Sequence, residues 1–394
     1  MMMIKKIAGA ALALLWASCL QGQQLPNNAN YARATESLST IQDHYAVNDG
    51  KHLLRETFPF DDSYSATYLA DNSNQPKANA YSYLWPFSGS LSAYAALLEA
   101  KHNPETKQHI DQAVLPGLEN YYDKRSPVGY ASYINSAPLS DRFYDDNIWL
   151  GIDFADLYLH TKEKAYLRKA QEIWAFVQSG MDDKLGGGIY WCEQKKESKN
   201  TCSNAPAVVY LLKLHEATKS KAYLQQAKDL YAWTKKNLQD PADKLYWDNI
   251  SLAGKVQPAK YPYNTGQMIQ AAALLYKLTK DKQYLSDAQE SAKAGLGYFF
   301  SPKGSSADFP LLKRSDNWFI AIMLRGYIEL YGQDKNPEYI KAFQANLDHA
   351  WTAMRDNNGL FGKEWSGKDK NSDKKWLLDQ FAMAEMYARL AAVK

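Results

Sequence analysis

Three cysteines, seven histidines and no long apolar run beyond the N-terminus set the first limits on this 394-residue chain. So few cysteines exclude a disulfide-built scaffold, and no Cys/His cluster has zinc-site spacing, so neither metal nor cofactor is expected. Without a stretch of about 20 apolar residues there is no membrane-spanning helix. Net charge is also small. Lys+Arg 46 against Asp+Glu 43 gives +3, and removing Lys5 and Lys6 from that +3 leaves +1. Such a balance gives no reason to expect nucleic acid or an anionic membrane face as partner. Aromatic residues, by contrast, are abundant: 11 Trp and 28 Tyr. Flat amphipathic rings of this kind stack on the apolar faces of sugars, although most are expected to fill a helical core.

Residues 1–18 read as an export signal, with Lys5 and Lys6 ahead of the apolar stretch Ile7 to Trp16. The following Ala17-Ser18-Cys19 resembles a lipoprotein cleavage box, with Trp16 where Leu is expected. Cys19 is therefore the expected acylated residue and the membrane's only expected contact; plain secretion is the alternative. The mature chain is expected in the periplasm or at the cell surface, as a monomer, with a short linker over 19–27 and one domain over 28–394. Cys192 and Cys202, nine residues between them in an exported chain, read as a disulfide across a local hairpin.

Internal repetition organises the rest. The segments Ala165 to Ala170, Ala222 to Ala227, Gln283 to Ala288 and Glu338 to Phe343 share one pattern and stand 57, 61 and 55 residues apart. A weaker copy, His109 to Ala113, precedes them, and Tyr31 to His44 supplies a sixth. Each copy opens an amphipathic helix, preceded across a Lys/Asp turn by a helix apolar nearly all round. The apolar set begins near Trp85-Pro86, Asp145-Asp146, Ser203-Asn204, Asn264-Thr265, Ser315-Asp316 and Leu378-Asp379, with polar residues suited to capping. Six alternations predict an outer helical ring around an inner one, an all-α (α/α)6 barrel. The Gly/Asp turns and aromatic pairs that lead into the inner helices, such as Gly186 to Trp191, place a cleft at that end.

Hydrolysis of a glycoside needs two carboxyls, so paired acids are the feature to seek. Asp61-Asp62 lies in a long insertion and Asp182-Asp183 in a Lys/Gly turn, whereas Asp145-Asp146 opens an inner helix. There the macrodipole favours one ionised carboxylate, while crowding keeps its neighbour protonated, which suits a nucleophile beside an acid. A capping pair on a structural helix is the competing interpretation of the same residues.

Four blocks in order, Tyr144 to Trp149, Gly186 to Trp191, Asn200 to Pro206 and Tyr263 to Gln267, resemble glycoside hydrolase family 76 over most of the mature chain. The resemblance implies a metal-free, retaining endo-α-1,6-mannanase on an (α/α)6 barrel, with Asp145 as nucleophile, Asp146 as acid/base and α-1,6-mannan or its oligosaccharides as partner. Cys202 departs from the pattern, where an aliphatic residue is expected. Substrate contact is expected from residues placed at the cleft: Trp85, Tyr144, Asn147, Trp149, Tyr190, Trp191, Asn204, Tyr263, Asn264, Gln267, Asp316 and Trp318.

Two other classes fit part of the pattern. An exported glycan-binding lipoprotein needs no carboxylate pair. An epimerase or uronide hydrolase on the same barrel needs histidine or arginine at the cleft; no histidine falls at an inner-helix start, and only Arg142 and Arg314 lie near one. Whether attack is internal or from chain ends is expected to depend on the insertion from His52 to Tyr81.

Overall fold

A computed structural model describes residues 27–64, 66, 79–305, 307–372 and 374–394. The expected export signal, Cys19 with its lipid, and part of the first insertion lie outside these residues. Twelve helices run among them. They are α1 (Asn27–Tyr45), α2 (Leu84–Ala100), α3 in three consecutive segments (Pro104–His109, Ile110–Val114, Leu115–Glu119), α4 (Tyr144–Thr161), α5 (Lys164–Gln178) and α6 (Thr201–Thr218). The second half holds α7 (Lys221–Leu238), α8 (Pro262–Thr279), α9 (Lys282–Phe299), α10 (Asn317–Asp334), α11 (Pro337–Ala353) and α12 (Leu377–Ala392).

Even-numbered helices are the apolar set, buried on nearly every side; in α12 every residue from Leu377 to Ala388 is buried. They pack in a closed cycle, α2 on α4, α4 on α6 and so on to α12, which returns to α2. Odd-numbered helices cover them with one face each: α7 buries Ala227, Leu230, Tyr231, Trp233 and Leu238 and leaves its lysines outside. The result is the (α/α)6 barrel that the repeat predicts. Its ring closes without a covalent link, because α1 packs on α12 and holds α11 through Asn30 to Gln344 at 2.7 Å.

Each inner helix but α2 and α12 ends in a lysine with left-handed backbone: Lys162, Lys219, Lys280 and Lys335, with φ of 63°, 62°, 62° and 55°. Left-handed geometry costs a residue with a Cβ about 1 kcal/mol. Three of these ammonium groups sit over the tyrosine four residues back, at 5.7, 5.6 and 5.1 Å, which offsets part of that cost. Where α8 meets α10, glycine is required: a Cβ on Gly326 would stand 2.1 Å from the carbonyl oxygen of Gly266.

One repeat departs from expectation. The weak copy at His109 does not open a helix, because Asn103 caps the N–H of Glu105 and Pro104 starts α3 earlier. Pro116 then lacks the N–H that an α-turn needs, and the chain widens into a π-turn in which Leu115 N–H reaches Ile110 O.

Candidate active site

All six inner helices start at one end of the barrel, after Tyr83, Phe143, Asn200, Tyr261, Asp316 and Trp376 in extended conformation. None of these residues makes the side-chain cap that the polar composition of the starts suggested. The neighbouring unit supplies the acceptors instead, a unit being an outer helix, its loop and the inner helix that follows. Leu84 N–H donates to Ser132 O (2.8 Å), Tyr144 N–H to Trp191 O (2.9 Å), and Leu377 N–H to Glu56 O (3.0 Å). Asn317 N–H donates to Asp379 Oδ1 (2.7 Å), and the Thr201 hydroxyl to Trp247 O (2.5 Å). Every one of these bonds crosses to the next unit round the ring.

Within a unit, an amide at the fourth helical position clamps the incoming loop. Asn147 accepts from Tyr130 N–H (2.8 Å) and donates to the carbonyls of Tyr130 and Phe143, both at 2.9 Å. Asn204 does the same with Ile189 and Asn200, and Gln380 with Phe361 and Trp376. These amides are fully committed to backbone and do not reach the cleft, so the expectation that Asn147 and Asn204 touch substrate is corrected.

Helix starts and loops enclose a cleft of about 860 Å³. Six of the twelve expected binding residues line it: Trp85, Trp149, Trp191, Tyr263, Asp316 and Trp318. The other six do not. Tyr144 stacks on Phe176 at 5.0 Å, Tyr190 donates to Asp182 at 2.7 Å, Gln267 donates to Gln270 at 2.8 Å, and Asn264 is buried inside α8, beside the two clamps already named. Asp316 faces the cleft but is paired with Lys363 at 2.7 Å. Several lining residues escaped sequence reasoning, among them Asp248, Asn249, Tyr261, Phe319, Lys363, Lys374 and Trp376. Trp247-Asp248-Asn249 repeats the aromatic–acid–amide order of Tyr144 to Asn147, a signal that could have found it. Lys374 pairs with Asp61 of the first insertion, which ties that insertion to a lysine of the cleft lining.

Rings form a continuous surface along one wall. Tyr263 stacks on Phe319 at 4.2 Å, Trp318 meets Trp85 and Trp149 edge-on at 5.3 and 4.9 Å, and Trp376 meets Trp85 at 5.3 Å. Against this wall lie the two adjacent carboxyls, Asp146 being only 9% exposed. Burial raises both above the ordinary carboxylate range, but not alike. Asp145 Oδ2 accepts from Trp191 Nε1 at 3.2 Å, and the Cys202 thiol and the N–H groups of residues 145 and 146 also favour its charge. Asp146 has no such support, and Asp145's charge pushes it further up. Protons therefore leave Asp145 first, giving a carboxylate beside a carboxylic acid.

The cysteines correct a further expectation. Cys192 and Cys202 are both free and buried. The chain between them does not fold back as a hairpin: Glu193 is held by Arg142 at 2.5 Å, and residues 198–200 pair with residues 249–251, delivering Cys202 to the first turn of α6. Arg142 is thereby spent on Glu193, and Arg314 pairs with Glu364 at 2.9 Å; among the described residues no histidine lines the cleft.

Residues 57–394 match the family described as Glycosyl hydrolase family 76. No curated protein matches the chain. Among solved structures, it is similar to a family 76 mannosidase from Bacteroides thetaiotaomicron, with 29% identity, a TM-score of 0.82, and 92% of this chain and 98% of the other covered. A family 76 α-mannanase from Bacteroides thetaiotaomicron gives 29% identity, a TM-score of 0.80, and coverage of 93% and 97%. An α-1,6-mannanase of Salegentibacter sp., solved as an inactive variant with α-1,6-mannotriose, shares the fold at 24% identity and a TM-score of 0.74, covering 93% and 100%.

Proposed function

This chain belongs to glycoside hydrolase family 76, and from that premise we propose that it cleaves α-1,6-mannosidic bonds within mannan by a retaining double displacement. The observation that carries the reading is the unequal support of two adjacent buried carboxyls. Asp145, the first of the pair to lose its proton, attacks the anomeric carbon, while Asp146, holding its proton, gives it to the departing glycosidic oxygen. Asp146, now a carboxylate, then takes a proton from water as that water displaces Asp145 from the sugar. Trp191, Trp85 and Trp376, partly buried rings of the cleft lining, supply faces on which mannose rings stack. Asp248 and Asn249, hydrogen-bonded to each other at 2.9 Å, offer an acceptor and a donor to sugar hydroxyls.

An acidic substrate is disfavoured because Arg142 is consumed by Glu193 and the cleft lysines Lys363 and Lys374 are paired with Asp316 and Asp61, and histidine-based epimerisation because, among the described residues, no histidine lines the cleft. Export and a lipid anchor at Cys19 belong to the same proposal and rest on the leader sequence. Incubation with linear α-1,6-mannan beside the Asp145→Asn variant tests the activity. A ladder of mannooligosaccharides from the wild type, with at least a thousandfold less (~10³) from the variant, is expected for loss of a covalent nucleophile. Intact polymer from the wild type overturns the reading.

A further inference from the structure

Trp191 reaches Asp145 from the next unit of the ring. A short antiparallel ladder, Tyr144 N–H to Trp191 O (2.9 Å) and Glu193 N–H to Arg142 O (3.0 Å), lays Trp191 beside the start of α4, and its ring packs on Phe143 at 4.9 Å. The indole thus arrives at the carboxyl with little freedom, and its Nε1–H donates to Asp145 Oδ2 at 3.2 Å. The other oxygen, Oδ1, is buried and has no hydrogen-bond partner among the described residues. Asp145 and Trp191 both line the cleft. With Oδ1 shut away, Oδ2 is the oxygen that can meet an anomeric carbon, so the donor sits on the atom that reacts.

We propose that Trp191 is a catalytic residue whose indole N–H stabilises Asp145 Oδ2 as it leaves the sugar, so that it serves the second step of the double displacement. The inference rests on the assignment of Asp145 as nucleophile. In the first step the Oδ2–C1 bond forms while the glycosidic C1–O bond breaks, and the leaving oxygen takes that bond's electron pair and the proton of Asp146. Oδ2 is then an uncharged ester oxygen, a poor acceptor, and its bond to the indole loosens. In the second step a water oxygen bonds to C1, a water proton passes to Asp146, and Oδ2 departs with the electron pair of the C1–Oδ2 bond. Charge returns to Oδ2 at the point where the N–H is already aimed, in a partly buried site where such a donor acts strongly.

Two measurements on the full-length protein test this. The first replaces Trp191 by 3-benzothienylalanine, which keeps the ring's shape and stacking face but has sulfur in place of the N–H. On linear α-1,6-mannan, above the acid limb, attack does not need the donor and departure does. Both kcat and KM are therefore expected to fall by about tenfold, the size of one hydrogen bond to a charged group, while kcat/KM is kept. A residue that only supports the fold would lower kcat/KM together with kcat. The second follows the indole N–H proton resonance of Trp191, assigned by its loss from the benzothienylalanine protein, as pH is varied. The titratable groups around the carboxyl are Asp146 on α4, Cys192 on the arriving loop, Cys202 on α6 and Tyr263 on α8; burial raises all four, so they keep their protons while Asp145 gives up its own. The resonance is expected to shift where Asp145 takes up its proton, and that step to vanish in Asp145→Asn. A kcat/KM that falls with kcat, unchanged kinetics, or a resonance indifferent to pH overturns the inference. If the wild type leaves mannan intact, the functional assignment fails while the resonance still decides the indole contact.

Discussion

Glu56 accepts the indole N–H of Trp376 at 2.7 Å and, through its other carboxylate oxygen, the backbone N–H of Tyr83 at 2.8 Å. One buried carboxylate of the first unit therefore holds an aromatic ring of the last unit against the cleft, beside the bond from Leu377 N–H to Glu56 O that joins the ends of the ring. Replacing one acceptor oxygen by an amide donor leaves Trp376 Nε1 or Tyr83 N–H unmet. Glu56→Gln is expected to cost about 1–3 kcal/mol in denaturant unfolding, and to raise KM for mannooligosaccharides more than it lowers kcat. An unchanged unfolding midpoint would show that the carboxylate is dispensable.

Burial lifts the carboxyls of Asp145 and Asp146 above their unfolded values, so their neutral forms suit the fold and their charges strain it. The stability they contribute is complete below the ordinary carboxylate range and is lost as pH rises towards the folded values. Asparagine never ionises. Asp146→Asn should therefore equal the wild type at about pH 3 and exceed it by at least about 1.4 kcal/mol at about pH 8. Melting curves at the two pH values check this, and a constant difference between the proteins would contradict it.

Lys199 is fully buried, and its ammonium donates to Asp182 Oδ1 at 2.6 Å, to Lys184 O at 2.8 Å and to Gly187 O. It ties down the glycine loop that delivers Trp191 to Asp145. Lys199→Met removes the cation facing Asp182 and the donor to the Lys184 and Gly187 carbonyls, and a loss of about 3 kcal/mol is expected. Far-ultraviolet circular dichroism during urea titration measures it, and a loss below about 1 kcal/mol would mean that water replaces the ammonium.

Cys192 and Cys202 are both thiols in the folded chain. Protein unfolded without reductant should titrate one thiol fewer for each of Cys192→Ser and Cys202→Ser. If neither substitution lowers the count, the two are joined to each other.

Much of this architecture is legible because the packing repeats. Inner helices start within three residues of the positions taken from polar clusters, since a helix buried on all sides leaves a long apolar signature ended by a Lys turn. What a polar residue does at such a start is not legible. Asn147 and Asn204 look like Asp145 in sequence, yet they satisfy loop backbone whose position depends on a neighbouring unit. Caps were misjudged for the same reason: Ser132 and Trp191 supply acceptors from far along the chain. Trp376, Lys363 and Lys374 come from a stretch without periodicity, and only the closed ring brings them to the cleft. Cysteine spacing misled because it measures distance along the chain, and residues 198–200 turn away into a sheet.

Because Lys101, at the end of α2, lies over the ring of Tyr31 near the start of α1, the first outer helix begins at the end of the barrel opposite the cleft, where α12 also finishes. Helix α12 ends beside the start of α1, at the place where every other inner helix passes through a short turn to the next outer one. A circular permutant opened between Lys219 and Ser220, with a short linker joining α12 to α1, would keep all six inner starts, and with them the cleft, in place.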